Sequence, residues 1–176
     1  TFLSFDDQMK HNANGQFPYT PATQLLHGLR ASIDFLNREG LENVFARHTR
    51  LANAVRAGIQ GWGHQLCAQS PDIYSDTVST IMLPEGIDGD QVLKTAYFGY
   101  NVSFGGGLAK LKGKAYRIGH IGNLNEIMVF QALAAAEAAM VQCGVNIELG
   151  TGVAAAQASI IEANRMAEAP DLRVVA

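Results

Sequence analysis

The chain has 176 residues, of which 48% are hydrophobic and 16% charged, so it can bury a core and is not disordered. Its formal net charge of -3 argues against a nucleic acid or an anionic membrane surface as a partner, because neither attracts a negatively charged protein. The two cysteines, Cys67 and Cys143, are too few for a disulfide framework, which indicates a reducing, cytoplasmic setting. No apolar run approaches the roughly 20 residues that a membrane span needs.

The first 40 residues are predicted to form a polar loop followed by a helix. Residues 1–19 are polar and irregular. Thr20 is a good N-cap residue, and Pro21 suits the first helical position. The helix continues to a stop signal at Gly40, and its apolar residues recur at helical spacing: Ala22, Leu25, Leu26, Leu29, Ile33 and Leu36.

A second, longer helix is predicted to begin near Leu41 and to end near Trp62. Its apolar stripe includes His48, which we expect to be a hydrogen-bonded core or interface residue rather than a metal ligand, because no second ligand shares that face. No metal site is predicted elsewhere. Such a long helix can link two domains, and we place the boundary inside it, with residues 1–54 in one domain and residues 55–176 in the other.

Short strands and helices alternate after residue 63. Strands are predicted over residues 64–69, 77–83, 101–104 and 114–121, with a backbone turn at Gly105-Gly106-Gly107. Three helices are predicted. The first begins at a capping box formed by Asp88 and Gln91 and ends near residue 97, and the second begins at the caps Asn123 and Glu126 and ends at Gly144. The third spans Gly152 to Ala169. This alternation is typical of an α/β or α+β domain in which helices pack on one face of a sheet.

Arg117 is the first candidate for ligand binding. Strand alternation puts its side chain on the face opposite Tyr116, Ile118 and His120. A guanidinium fork matches the two oxygens of a carboxylate, and the neighbouring Gly119 leaves room for one. An exposed arginine, or one paired with a nearby acid, explains the same pattern, so residue type alone leaves both interpretations open.

Thr20 is the second candidate. A hydroxyl at a helix N-terminus lies beside free backbone N–H groups and the positive end of the helix dipole, which together favour an anion such as phosphate. An ordinary N-cap that binds nothing is the commoner explanation of such a residue.

Four segments, in order and spacing, resemble the class V (fold type I) aminotransferases, which use pyridoxal phosphate. They are Phe17-Pro18-Tyr19-Thr20-Pro21-Ala22-Thr23, Glu39-Gly40-Leu41-Glu42-Asn43 with Arg47-His48, Pro84-Glu85-Gly86-Ile87-Asp88, and Tyr116-Arg117-Ile118-Gly119-His120-Ile121-Gly122. The first segment and the tail from Gly150 to Gln157 are most similar to the serine–glyoxylate branch, which has alanine–glyoxylate relatives. The resemblance spans nearly the whole chain and implies the C-terminal portion of such an enzyme.

The resemblance implies a fold and two site roles. The fold would be the last helices of a large cofactor domain followed by a small domain whose helices pack on a mainly antiparallel sheet. Arg117 would grip the substrate α-carboxylate, and Thr20 would reach across a homodimer interface to the phosphate of the partner's cofactor. Some relatives place a tyrosine three residues before that threonine; here the residue is Phe17, so the contact is absent or is made by Tyr19.

The resemblance further implies that the lysine that holds the cofactor as a Schiff base precedes these 176 residues. The whole enzyme would move an amino group from serine or alanine to glyoxylate, whereas this chain alone would bind no cofactor and be inactive. The alternative is a stand-alone, non-catalytic α/β module that binds a carboxylate ligand or a partner chain.

Overall fold

The computed structural model describes residues 3–168, and the chain divides into two compact units, Thr1–Val44 and Phe45–Ala176. The division lies inside a long helix, and so does the predicted boundary between residues 54 and 55. The assignment of the two parts to a large and a small domain stays a prediction. None of the helices in residues 3–168 has the length and apolarity needed to cross a membrane.

The first unit begins with a helix that the sequence analysis did not predict. Phe5–Asn12 forms α1, so the expectation of an irregular segment over residues 1–19 is wrong there. Ser4 caps this helix, because its Oγ accepts a hydrogen bond from the amide of Asp7 at 3.4 Å. Acidic residues in the first turn and basic residues in the last complement the helix dipole. These local electrostatics, rather than an apolar stripe, account for α1, which buries no residue.

The next helix, α2 (Thr23–Glu39), begins later than predicted. Ala22 occupies the N-cap position and makes no side-chain cap, so the prediction that Thr20 is the cap is wrong. The amide of Thr23 donates to the carbonyl of Pro21 at 2.9 Å, which shows that the chain turns at Pro21 before the helix starts. The predicted end is confirmed, because Gly40 follows the last helical residue with φ of 83°, a value that favours glycine.

The long helix α3 (Leu41–Gly61) confirms the predicted second helix. Its first residues belong to the first unit and the remainder to the second. Within the second unit, Leu51, Val55 and Ile59 are buried along one face, as the apolar stripe predicts.

The sheet of the second unit has three antiparallel strands among the described residues: β1 (Val78–Met82), β2 (Gly105–Gly106) and β3 (Ala115–Gly119). Their order is β1-β3-β2, so β3 lies in the centre and β2 at one edge. The predicted strand over residues 64–69 is reduced to a single bridge between Leu66 and Ile81. The predicted strand over residues 101–104 is also wrong, because Asn101 takes a left-handed conformation that ends the preceding helix.

Three further helices complete the second unit: α4 (Gly89–Tyr100), α5 (Glu126–Gln142) and α6 (Thr151–Glu168). Asp88 caps α4 as predicted, with its carboxylate accepting from the amides of Asp90 and Gln91. Asn125 rather than Asn123 caps α5, accepting from the amide of Met128 at 3.0 Å. The predicted last helix is confirmed as α6, except that Ala169 lies outside the described residues.

One apolar core joins the sheet to these helices. Tyr116 and Ile118 of β3 and Ile81 of β1 are buried in it, together with Leu133 and Met140 of α5. Helices packed against a small antiparallel sheet are the fold class that the sequence predicted. Because Tyr116 and Ile118 face this core, alternation turns Arg117 towards the opposite face of the sheet.

Candidate functional site

Arg117 lies in the middle of the central strand, where backbone pairing on both sides fixes its position. Its Cα partners are Thr80 on β1 and Gly105 on β2. The side chain is half-buried, and its Nε donates a hydrogen bond to the carbonyl of Gly106 at 3.0 Å. The guanidinium therefore leans over β2 and is held there by the backbone.

The glycines of β2 make this arrangement possible. A Cβ atom on Gly105 would lie 3.1 to 3.3 Å from the Nε, Nη2 and Cζ atoms of Arg117, closer than most real contacts of that kind. A Cβ atom on Gly107 would lie 2.1 Å from the carbonyl oxygen of Leu111. The prediction of a backbone turn at these glycines is wrong at Gly105 and Gly106, which form a strand that leaves space for the arginine.

The outer nitrogens of Arg117 have no protein partner in the part of the chain that the structure describes. Its one hydrogen bond comes from Nε, and it takes part in no ion pair within residues 3–168. The sequence left open whether Arg117 binds a ligand or is an ordinary exposed or paired arginine. Among these residues, Arg117 is not paired with an acid. Nη1 and Nη2 can receive a carboxylate as a bidentate pair.

Thr20 and Tyr19 belong to the first unit, whereas Arg117 belongs to the second. Thr20 is exposed, and its hydroxyl makes no hydrogen bond within residues 3–168. The Tyr19 side chain is 49% exposed, and Phe17, at the position that the resemblance singles out, is 52% exposed. The hydroxyl of Thr20 can therefore bind an external anion.

A buried histidine fixes the end of β3. His120 is inaccessible to solvent, its Nδ1 lies 3.1 Å from the carbonyl of Asp76, and its Nε2 lies 3.0 Å from the Oγ of Ser79. A carbonyl only accepts, so Nδ1 carries the proton and Nε2 accepts from Ser79. Burial lowers the pKa of the His120 imidazole, since desolvation disfavours its charged form. His120 is therefore a neutral structural residue on the face opposite Arg117.

The carboxylate of Asp76 forms a polar cluster beside this histidine. Partial burial raises the pKa of the Asp76 carboxyl, but hydrogen bonds from Thr49 at 2.6 Å and Arg56 at 3.1 Å outweigh it, so the pKa is lowered. Arg56 also donates to the carbonyl of Ser75 and lies over the ring of Tyr74. The cluster borders a cavity of about 450 Å³ and holds the loop before β1 against α3.

Two neighbouring residues of α3 hold the turn that follows β3. The amide of Gly122 donates to the Nε2 of His48 at 3.0 Å, and the Nη1 of Arg47 donates to the carbonyl of Gly122 at 2.8 Å. His48 is half-buried and hydrogen-bonded, as predicted. Its Nε2 is committed as an acceptor, and residues 3–168 contain no group of three or more acidic, histidine or cysteine side chains arranged to hold a metal ion.

Glu137 is a buried charged residue whose structural role the sequence analysis missed. It is 3% exposed, and its carboxylate accepts from the indole nitrogen of Trp62 and from the amides of Gly150 and Gly152, each at 2.8 Å. One carboxylate on α5 thus ties the residue that follows α3 to the start of α6. The only sequence signal was a single acid within the apolar run of α5, which does not reveal its partners.

No protein-family model matches the chain. The chain is 60% identical over 155 residues to a protein of Hyphomicrobium methylovorum named serine–glyoxylate aminotransferase, covering 88% of this chain and 38% of that protein. It is 46% identical over 157 residues to the L-aspartate–glyoxylate aminotransferase of Paracoccus denitrificans, covering 89% and 40%. Its fold matches the crystal structure of pyridoxamine–pyruvate aminotransferase from Mesorhizobium loti with a TM-score of 0.86 at 35% identity, covering 92% and 42%. The chain thus spans well under half the length of these proteins.

Proposed function

We propose, on the premise that this chain belongs to the class V family of pyridoxal-phosphate aminotransferases, that it supplies the substrate-carboxylate site of an enzyme that transfers an amino group from serine to glyoxylate. The observation that carries the proposal is Arg117, an arginine fixed in a central strand with two free η nitrogens. Serine is the donor named for the relative at 60% identity, and aspartate is named at 46%. The higher identity favours serine over aspartate, and alanine is the remaining alternative.

Arg117 would orient both substrates in turn. An amino acid and a 2-oxo acid each carry a carboxylate next to the reacting carbon, so one bidentate grip places that carbon identically for donor and acceptor. The hydrogen bond from Nε to Gly106 holds the fork in place before the substrate arrives. The free energy cost of ordering the side chain is then smaller at binding.

Pyridoxal phosphate would supply an electron sink for the charge left when the α-proton is removed. Of the residues described, Thr20 fits its phosphate, because an exposed hydroxyl without an internal partner can donate to an anion. Tyr19 is adjacent in the chain and is the second residue proposed for this contact. We propose that Thr20 reaches the cofactor of a partner subunit in a cytoplasmic homodimer. The Schiff-base lysine is expected outside residues 1–176, so this chain alone would not retain the cofactor.

The test is Arg117→Ala in the full-length protein that contains this chain. Loss of one partner of a buried, hydrogen-bonded charge pair costs about 2 to 5 kcal/mol, which corresponds to a rise of roughly 30-fold to 5,000-fold in the KM for glyoxylate. Cofactor absorbance should persist, because Arg117 is proposed to bind the substrate and not the cofactor. Steady-state kinetics with serine, alanine and aspartate as donors measures both the loss and the donor preference.

The matched control is Arg30→Ala, which removes an exposed arginine paired with Asp34 on its own helix. This variant should keep the wild-type KM. If Arg117→Ala leaves the KM for glyoxylate unchanged, Arg117 does not bind the carboxylate and the proposal fails.

A second variant tests the cofactor contact. Thr20→Val removes the hydroxyl with little change in shape, and loss of one hydrogen bond to a charged group costs about 1.5 to 3 kcal/mol. We therefore expect pyridoxal phosphate to dissociate from the full-length protein roughly 10-fold to 150-fold more readily. Thr23→Val, three positions further along the same segment, is the control. Equal retention in the two variants would remove Thr20 from the phosphate site.

A further inference from the structure

One residue of the edge strand β2 has a backbone N–H and a carbonyl that do not pair with β3. The amide of Gly107 donates to the carbonyl of Ala115 at 2.9 Å, so Gly107 faces β3. Hydrogen-bonding groups alternate along an antiparallel strand, so Gly105 also faces β3 and Gly106 faces away from it. No described strand lies on that side of β2, since the strand order is β1-β3-β2.

Arg117 contacts this outward-facing residue. Its Nε donates to the carbonyl of Gly106, while its Nη2 and Cζ lie over Gly105, within 3.3 Å of the position that a Cβ atom would take there. The guanidinium therefore extends from the carbonyl of Gly106 back along the strand towards Gly105. The N–H of Gly106 lies between these two points, beside the guanidinium and on the same edge of the strand.

The N–H of Gly106 has no hydrogen-bond acceptor in residues 3–168, although the residue is half-buried. An N–H at the free edge of a sheet that has no protein acceptor is available to bind a ligand or water. The η nitrogens of Arg117 are also without protein partners. Two kinds of unused donor thus lie side by side at one edge of the sheet.

We propose that the backbone N–H of Gly106 is a second donor to the substrate carboxylate that Arg117 binds, which rests on the proposed function. Because Nε is committed to the carbonyl of Gly106, the guanidinium offers its Nη1 and Nη2 end to the carboxylate. One carboxylate oxygen then accepts from the guanidinium and from the Gly106 amide together. Gly106 would thus have two functions: its carbonyl orients the arginine, and its N–H binds the ligand.

The sequence permits a direct measurement of this amide. Gly105-Gly106-Gly107 is the single run of consecutive glycines in the 176 residues. Glycine is labelled with ¹³C at the carbonyl and ¹⁵N at the amide, and each amide is then correlated with the carbonyl of the preceding residue. Only Gly106 and Gly107 follow a glycine, so only these two residues give a signal. Gly107 serves as the internal control, because its amide is already bonded to Ala115.

Titration with acetate is expected to shift the Gly106 amide proton downfield to saturation while the Gly107 proton stays in place. Acetamide, which lacks the charge, should cause no shift of the Gly106 signal. Acetate should cause none in the Arg117→Gln variant. A second sample with ¹⁵N-labelled arginine reports the Nε–H of Arg117. An unmoved Gly106 signal alongside a shifted Arg117 Nε–H signal would overturn this inference and leave the proposed function standing. If neither the Gly106 amide nor the Arg117 Nε–H responds, or if Gly106 and Gly107 shift equally, this inference and the proposed function are both overturned. The same labelling in the full-length protein covers the case in which the 176-residue chain does not fold alone.

Discussion

The two units of the molecule differ in how far their apolar residues are buried. In the first unit, α1 and α2 bury no residue, and six large apolar residues of α2 are 40 to 75% exposed: Leu25, Leu26, Leu29, Ile33, Phe35 and Leu36. In the second unit, α3, α4 and α5 bury apolar residues together with the sheet in one continuous core. The apolar stripes of α2 and α3 look alike in the sequence. The stability of a helix therefore depends on the surface that covers its stripe, which the second unit contains and residues 3–44 do not provide.

The largest effect expected from this comparison is in the second unit, at Glu137. Replacing it with alanine leaves the buried N–H groups of Trp62 and Gly152 without an acceptor and removes the cap of α6. Each buried unsatisfied donor costs about 1 to 3 kcal/mol, so we expect the free energy of unfolding to fall by about 3 to 6 kcal/mol. Urea denaturation measures this loss. Glu162→Ala, on the exposed side of α6, is the control, and equal losses would refute the role of Glu137.

The next effect compares one leucine from each unit. Leu133→Ala empties a position that is inaccessible to solvent and should lower the free energy of unfolding by about 2 to 5 kcal/mol. Leu29→Ala changes a side chain that is 56% exposed and should stay within about 0.5 kcal/mol of wild type in the 176-residue chain. Chemical denaturation of both variants tests the contrast. Equal losses would show that the stripe of α2 is covered in this chain after all.

The smallest effect concerns pH and is confined to the second unit. Burial lowers the pKa of His120 below its ordinary value of 6.5, so the unfolded chain binds its proton more readily than the folded one. The stabilisation is complete above pH 6.5 and is lost as the pH falls towards the folded pKa, by at most about 1.4 kcal/mol per pH unit. His64, whose pKa burial also lowers, adds to this slope. His120→Gln should flatten the unfolding free energy between pH 6.5 and 5, and an unchanged slope would contradict this account.

The longer elements were predictable because their signals are local. The apolar stripe of α3 and the Asp88 cap of α4 arise from residues within a few positions of one another, and the structure confirms both. The β2 strand was not predictable, because glycine is depleted from strands and nothing near Gly105 in sequence shows that Arg117 needs the space above it. Its position depends on pairing with β3, which is a tertiary effect.

In the candidate site, too, local features were predictable from the sequence and long-range contacts were not. Alternation along β3 predicted the face of Arg117 but could not show that Nε is committed to Gly106. The helix expected to start at Thr20 starts at Thr23, because a proline at position 21 is also compatible with a turn before the helix. Glu137 was visible only as a single acid in an apolar run, since its acceptor role depends on amides 13 to 16 positions later and on Trp62.

The contacts of α3 also determine when it can be completed during synthesis. Arg47 bonds to a carbonyl 75 positions later, and Trp62 bonds to a carboxylate 75 positions later. A ribosome adds about 5 to 20 residues per second, so these partners follow roughly 4 to 15 seconds after α3 itself. During that interval the buried face of α3 is exposed to other nascent chains and to chaperones. The bonds that fix the turn after β3 can therefore form only after more than half of the second unit has been made.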